Sequence, residues 1–197
     1  FAGGDQGQIS GWNLRLEVQQ TAPASTFYHG ASSSVSALAV LPDATAIFSG
    51  ADDGIVRTHD LTSEAQPVYD PGVPVQPGSS ITAIRALSPS LLVYADSGGV
   101  VGFDLRRQLQ VFVFKEVEGI EGSIMSLSFL QGDEIVAAAG PGCTVSGWDI
   151  KQKARSFSHC HLNNITGKPA NVASLAAWPE KEVLFSGADD GTVLEWT

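Results

Sequence analysis

The side chains able to do chemistry recur along this chain at a spacing that argues against catalysis. Adjacent carboxylates at Asp52-Asp53 and Asp189-Asp190, with Asp5 and Asp96, have the residue type of a general acid–base pair. Each occupies the same place in a recurring glycine-rich segment, where an aspartate serves its own turn backbone. His159-Cys160-His161 has metal-ligand types. In an extended run its two imidazoles share one face and the thiol points away, leaving two ligands where zinc takes four. Thr166-Gly167-Lys168 resembles the end of a phosphate loop, but Leu162 and Pro169 stand where that loop needs Gly and Ser or Thr. Asn164-Ile165-Thr166 fits a glycosylation acceptor, a pattern common by chance. With no constellation left over, the expectation is a chain that is not an enzyme and uses no metal or cofactor.

Composition narrows the class further. The 197 residues are 43% apolar and only 16% charged, with 21 Gly and 10 Pro, which excludes a disordered or coiled-coil chain and implies many short elements joined by turns. A net charge of −10 has the wrong sign for a protein that neutralises phosphates, so no direct nucleic-acid binding is expected. No apolar run reaches the roughly 18 residues of a membrane span. Cys143 and Cys160 are too few for a disulfide framework, which makes a reducing, intracellular setting, cytoplasmic or nuclear, the expectation.

The elements that position these residues repeat. Phe48-Ser49-Gly50-Ala51-Asp52-Asp53-Gly54 recurs letter for letter from Phe185 to Gly191, Phe1 to Gly7 is a close variant, and weaker copies run Leu92 to Gly98 and Ala137 to Cys143. A large ring follows each copy, at Trp12, His59, Phe103, Trp148 and Trp196, with spacings of 47, 44, 45 and 48. A period of about 46 residues is that of a repeat architecture. Within each unit a strand such as Val35 to Leu41 alternates apolar and small residues, then come a turn, a small-residue strand, an Asp-Gly hairpin and a strand ending on the ring. Asp53-Gly54 and Asp190-Gly191 suit two-residue hairpins with positive φ at both centres. Fourth strands are expected at 25–29, 66–70, 110–115 and 154–158. Four short antiparallel strands per unit make an all-β fold, a β-propeller of four-stranded antiparallel blades. The units end near residues 14, 61, 105, 150 and 197.

The Ser-Gly-x-Asp-Asp-Gly turns, the Val-x-x-Leu strands and the endings Trp148-Asp149, Phe103-Asp104 and His59-Asp60 resemble the WD-repeat β-propeller family along essentially the whole chain. The family's Gly-His pair ahead of each unit's first strand is absent. Its buried hydrogen-bond set is accordingly expected to be incomplete, with Ser186, Asp190 and Trp196 supplying three members. Family propellers usually carry seven blades, so about 18 strands imply a partial ring, completed by further sequence or another chain, or else a five-bladed ring with irregular closure. The chain also starts without Met inside a repeat, which points to a segment of something longer and not to a ring stable by itself.

The resemblance implies a non-catalytic scaffold or adaptor binding other proteins within a larger assembly. Alternatives are a substrate-presenting propeller of a larger enzyme and a ubiquitin-ligase substrate receptor, the latter from Phe103-Asp104-Leu105-Arg106 and, less closely, Trp12-Asn13-Leu14-Arg15. One face of the disc gathers the hairpin aspartates with Asp70, Glu116, Glu118 and Glu121, while Arg106, Arg107, Lys151, Lys153 and Arg155 lie on the other. Partner binding is therefore expected on the acidic face, for a basic segment, helped by Tyr28 with His29 and by the stiff stretch from Asp70 to Pro77.

Overall fold

The computed structural model describes residues 1–12, 25–30, 32–41, 43–62, 73–74 (backbone only), 79–97, 99–115, 123–130 and 134–197. Its strands form five antiparallel sheets in chain order. The first contains β1 (Ala2–Gly3), β2 (Gln8–Gly11) and β3 (Ser25–Tyr28); the second β4 (Val35–Val40), β5 (Ala46–Ala51), β6 (Ile55–Asp60) and β7 (Val73–Pro74). The third contains β8 (Ala83–Ala86), β9 (Leu91–Asp96), β10 (Gly99–Asp104) and β11 (Leu109–Phe114); the fourth β12 (Ser126–Leu130), β13 (Ile135–Ala139), β14 (Thr144–Asp149) and β15 (Ala154–Cys160). The fifth contains β16 (Val172–Trp178), β17 (Val183–Ala188) and β18 (Val193–Trp196). Each sheet is a simple up-and-down blade, and the first strands β4, β8, β12 and β16 touch one another from blade to blade. This is an all-β propeller arrangement. The short β7 ends on a proline, a residue confined to sheet edges because it cannot donate to a ladder; residues 66–70, the expected site of that strand, lie outside the described residues.

The core lies between blades, not at one centre. Separate apolar clusters fill the junctions of blades one and two, two and three, three and four, and four and five. A second strand is therefore covered on both faces, and β5 and β13 are buried along their whole length. That is why these strands read Ala-Ile-Phe-Ser-Gly-Ala and Ile-Val-Ala-Ala-Ala, without polar alternation. Small residues also let neighbours approach. A Cβ built on Gly147 would lie 2.2 Å from the Phe157 ring, and one on Gly102 2.2 Å from the Phe112 ring, so each glycine seats an aromatic of the adjoining outer strand.

The ring residues share one register. His59 pairs with Ile47, Phe103 with Leu92, Trp148 with Val136 and Trp196 with Leu184. Trp12 lies just past β2, where the pairing of Ala2 with Ser10 leaves it opposite no residue of β1, and it is half-exposed. The aspartate after the ring caps the turn to the fourth strand: Asp104 accepts from the Arg106 and Arg107 amides, Asp149 from Gln152 and Asp60 from Thr62.

Two details correct the sequence analysis. The hairpins are three-residue loops, not two-residue ones: Gly54 and Gly191 have φ of 72° and 81°, while Asp53 and Asp190 stay at negative φ. The Gly54 and Gly191 amides bond back to Ala51 and Ala188, a type I turn closed by a left-handed glycine. Cys143 and Cys160 form a disulfide, their Cα atoms 4.8 Å apart, because the hairpin of β14 and β15 brings the entry of one strand opposite the end of the other.

Gly147→Ala should therefore cost about 1–3 kcal/mol by overpacking the Phe157 seat, read as a lower urea midpoint than the native chain. An unchanged midpoint would mean that the seat does not constrain the blade.

Candidate functional site

The antiparallel topology puts the connections between fourth and first strands, and the hairpins between second and third, on one rim. Two buried polar chains anchor it. In the fifth blade, His161 is fully buried, its Nδ1 2.7 Å from Ser186 Oγ and its Nε2 2.7 Å from Thr192 Oγ1. Thr192 Oγ1 lies 2.6 Å from Asp190 Oδ1, and Trp196 Nε1 donates to Ser186 Oγ at 2.8 Å. A carboxylate only accepts and an indole N–H only donates. Thr192 spends its one hydrogen on Asp190, so His161 Nε2 carries a proton and donates to Thr192; with burial disfavouring a charged ring, Nδ1 accepts from Ser186, which in turn accepts from Trp196. In the second blade, Ser49 Oγ lies 2.6 Å from His29 Nδ1 and 2.8 Å from His59 Nε2, and His29 Nε2 reaches Asp53 at 3.4 Å. His59 takes the donor role that tryptophan has in the fifth blade.

These chains overturn the expected incomplete set. The missing histidines are His29 and His161, the first followed by a glycine instead of preceded by one. His29 is buried, whereas its neighbour Tyr28 is 60% exposed, so the two do not form one contact surface. His161 is spoken for, and Cys160 is tied in the disulfide. Among the described residues no group of three or more His, Cys, Asp or Glu could hold a metal ion, and no helix is long and apolar enough to cross a membrane.

The hairpin aspartates are turn and junction caps. Asp53 accepts from the Ile55 amide, Ser33 and Arg57, Asp52 from the Ser34 amide, and Asp189 from the amide and side chain of Asn171. Asp190 also accepts from Asn163 at 2.7 Å, and the Thr192 and Asn163 bonds hold its carboxyl down at about 2. For Asp53, burial pushes the carboxyl up, but hydrogen bonds from Ile55, Ser33 and Arg57, together with the nearby His29 ring, outweigh it and leave it below its usual range. Burial lowers His161, and burial with the Arg57 guanidinium lowers His29.

Beside these caps the rim presents apolar tips. Ile165 is 92% exposed at the end of a loop closed by the Asn163–Lys168 and Gly167–Asn163 backbone bonds, with Asn163 Oδ1 accepting from the Ile165 and Thr166 amides. Met125 stands at the start of β12, also exposed. Asp70, Glu116, Glu118, Glu121 and Arg15 lie outside the described residues, as do all but two residues of the stretch from Asp70 to Pro77. Arg106 is exposed on the opposite rim.

A third feature was not visible in the sequence. Phe114 stacks on Trp148 at 5.5 Å and 10°, His159 on Trp196 at 5.4 Å and 11°, and Phe27 meets His59 at 5.5 Å. Phe27, Phe114 and His159 pair with Ile9, Val100 and Val145, each three residues before a ring residue. The ring of one blade thus packs on the outer strand of the blade before it, at a sequence distance that the period alone does not signal.

The family model for the WD domain, G-beta repeat, matches residues 22–60 and 159–197. Those spans contain both buried histidine–serine chains and both letter-identical hairpins. The chain resembles the WD-repeat β-propeller family, with repeat matches over these two spans. Telomerase protein component 1 of Rattus norvegicus is 31% identical over 86 residues, which covers 41% of this chain and 3% of that protein. A crystal structure of the Mitotic Checkpoint Complex matches with a TM-score of 0.76 at 15% identity, covering 99% of this chain and 57% of that one. The computationally designed Ika4 protein matches with a TM-score of 0.62 at 25% identity, covering 85% and 93%. This chain spans a small part of the curated relative and just over half of the checkpoint structure's chain.

Because His29 and His161 titrate lower folded than the usual 6.5, the unfolded chain binds more protons just below that pH. Their contribution is complete above about pH 6.5 and is lost as pH falls toward the folded values. The native urea midpoint should drop between about pH 7 and pH 5.5 by more than that of a His29→Gln/His161→Gln variant. Equal drops would contradict the neutral-imidazole assignment. Separately, Ser186→Ala should cost about 1–3 kcal/mol by stranding two buried ring nitrogens.

Proposed function

We propose that this chain is a non-catalytic interaction platform, a scaffold or adaptor within a multi-protein assembly, whose rim of blade connections takes a segment of basic character. The observation carrying this reading is Ile165, almost fully exposed on a loop pinned to Asp190 through Asn163. A fixed apolar tip loses little entropy when a partner covers it. Tyr28 supplies a second, aromatic anchor. Asp52, Asp189 and Asp190 accept hydrogen bonds from neutral amides and hydroxyls, so the capping leaves their charge in place to attract a cation. Asp70, Glu116, Glu118 and Glu121 belong to the same proposal through their place in the sequence. WD-repeat proteins bind other proteins, and two similar proteins are named as a component and a complex. The whole of residues 1–197 is read as one propeller portion. Intracellular placement is also proposed. Free thiols at Cys143 and Cys160 after trapping in cells would support it, and a retained disulfide would assign an oxidising compartment.

The test is the affinity of the native partner for four forms of the chain. Neutralising Asp70, Glu116, Glu118 and Glu121 together, or replacing Tyr28 and Ile165 by serine, should weaken binding tenfold or more, and added salt should weaken the native pair. Arg106→Gln/Arg107→Gln/Lys151→Gln should bind as the native chain does. Loss in this last variant, with the first two unaffected, would place the working face on the opposite rim.

A further inference from the structure

The two cysteines of this chain are bonded to each other at the foot of the loop that carries Ile165. Cys143 closes the turn between β13 and β14, and Cys160 ends β15. Backbone bonds continue from both. The His161 amide donates to the Cys143 carbonyl at 2.6 Å, the Ala170 amide to the His161 carbonyl at 3.1 Å and the Val172 amide to the Gly142 carbonyl at 3.2 Å. The Gly142 amide donates to Asn171 Oδ1 at 2.8 Å. The cross-linked turn therefore holds the 162–169 loop both where it leaves the fourth blade and where it returns.

The repeat shows that a blade forms without this bond. Gly7 and Tyr28 hold the equivalent positions in the first blade, where Gln8 pairs with Tyr28 as Thr144 pairs with Cys160. The His29 amide there donates to the Gly7 carbonyl at 2.7 Å with no cross-link beside it. What differs is the connection that follows, since Val172 comes 11 positions after His161 and Val35 only 6 after His29. A longer connection has more freedom to lose, and the cross-link stands at the longer one. It is also within reach of a thiol. Cys160 is exposed and Cys143 half-buried. Tyr28 and Lys115, which likewise follow the residue packed on the next ring, are exposed too, Lys115 beside a blade of four strands. The outward position therefore belongs to the register. An exposed disulfide whose cysteines are 17 positions apart is of the exchangeable kind, because a short loop contributes least to stability and an accessible sulfur is open to attack.

We propose that Cys143 and Cys160 are a reversible thiol–disulfide exchange site for glutathione or a small thiol of that class, and that its state sets how tightly the foot of the 162–169 loop is held. In reduction a glutathione thiolate attacks the exposed Cys160 Sγ; the S–S bond breaks, Cys143 leaves as a thiolate and takes up a proton, and Cys160 carries the mixed disulfide. A second glutathione thiolate attacks the glutathionyl sulfur, which releases Cys160 as a thiol and forms glutathione disulfide. Two glutathiones thus give two electrons and two protons to the chain, and glutathione disulfide reverses both steps. This goes beyond the rim proposal, since it needs no partner protein, and either can fail without the other.

The test equilibrates the intact chain in buffers that run from glutathione disulfide alone to reduced glutathione alone, with thiols trapped by alkylation and counted by mass spectrometry. Both cysteines should pass together from bonded to free, and back again when the buffers are reversed. Hydrogen exchange of the same samples should show the His161, Ala170 and Val172 amides exchanging severalfold faster in the reduced chain, while the amides of β9 and β10 keep their protection. Cys143→Ser/Cys160→Ser should match the reduced chain in every buffer, with the circular dichroism of the native chain. A disulfide that persists in reduced glutathione alone, thiols that stay free in glutathione disulfide, equal exchange of the three amides in both states, or a reduction that deprotects β9 and β10 as much would each overturn the proposal.

Discussion

No blade of this protein can bury its own apolar surface, because a four-stranded sheet has two faces and each must be covered by the next sheet. That requirement sets most of the sequence. It makes the second strands apolar on both sides, puts glycine under Phe112 and Phe157, and requires a large ring at the end of each third strand to meet the outer strand of the preceding blade. The apolar clusters each join two blades. Stability should then be a sum of blade terms and nearest-neighbour junctions, as in other repeat proteins.

The buried histidine–serine chains add direction to this packing. In the second and fifth blades they connect the third strand to the hairpin and to the incoming connection, so that a rim aspartate, a core serine and a ring residue share one network. In the third blade Val93, Tyr94 and Ala95 are fully buried instead, and burial pushes the Tyr94 hydroxyl to about 12. Rim loops held by the histidine–serine chains, such as 162–169, are preorganised, which is the property a recognition surface needs. A protein built like this meets partners with little rearrangement, and its surface charges select among them.

Strand order and the ring positions were legible because they repeat, and a register set by alternation survives even where individual residues diverge. His29 and His161 were harder to place. Their distances to the following first strand differ, 6 residues to Val35 and 11 to Val172, so they keep no fixed period. The signal that could have found them is the identity of the two hairpins, since letter-identical serines and aspartates call for equivalent partners. The disulfide was hidden because its bond depends on a hairpin register that shifts at Gly147 and Trp148.

The most direct measurement of this account is a double-mutant cycle on Phe114→Leu and Trp148→Leu, followed by urea unfolding of all four chains. If the ring residue holds the blades together through the outer strand of its neighbour, the pair should show a coupling of about 0.5–1.5 kcal/mol. Additive losses, with no coupling, would mean that each ring serves only its own blade and would contradict the junction as the organising contact.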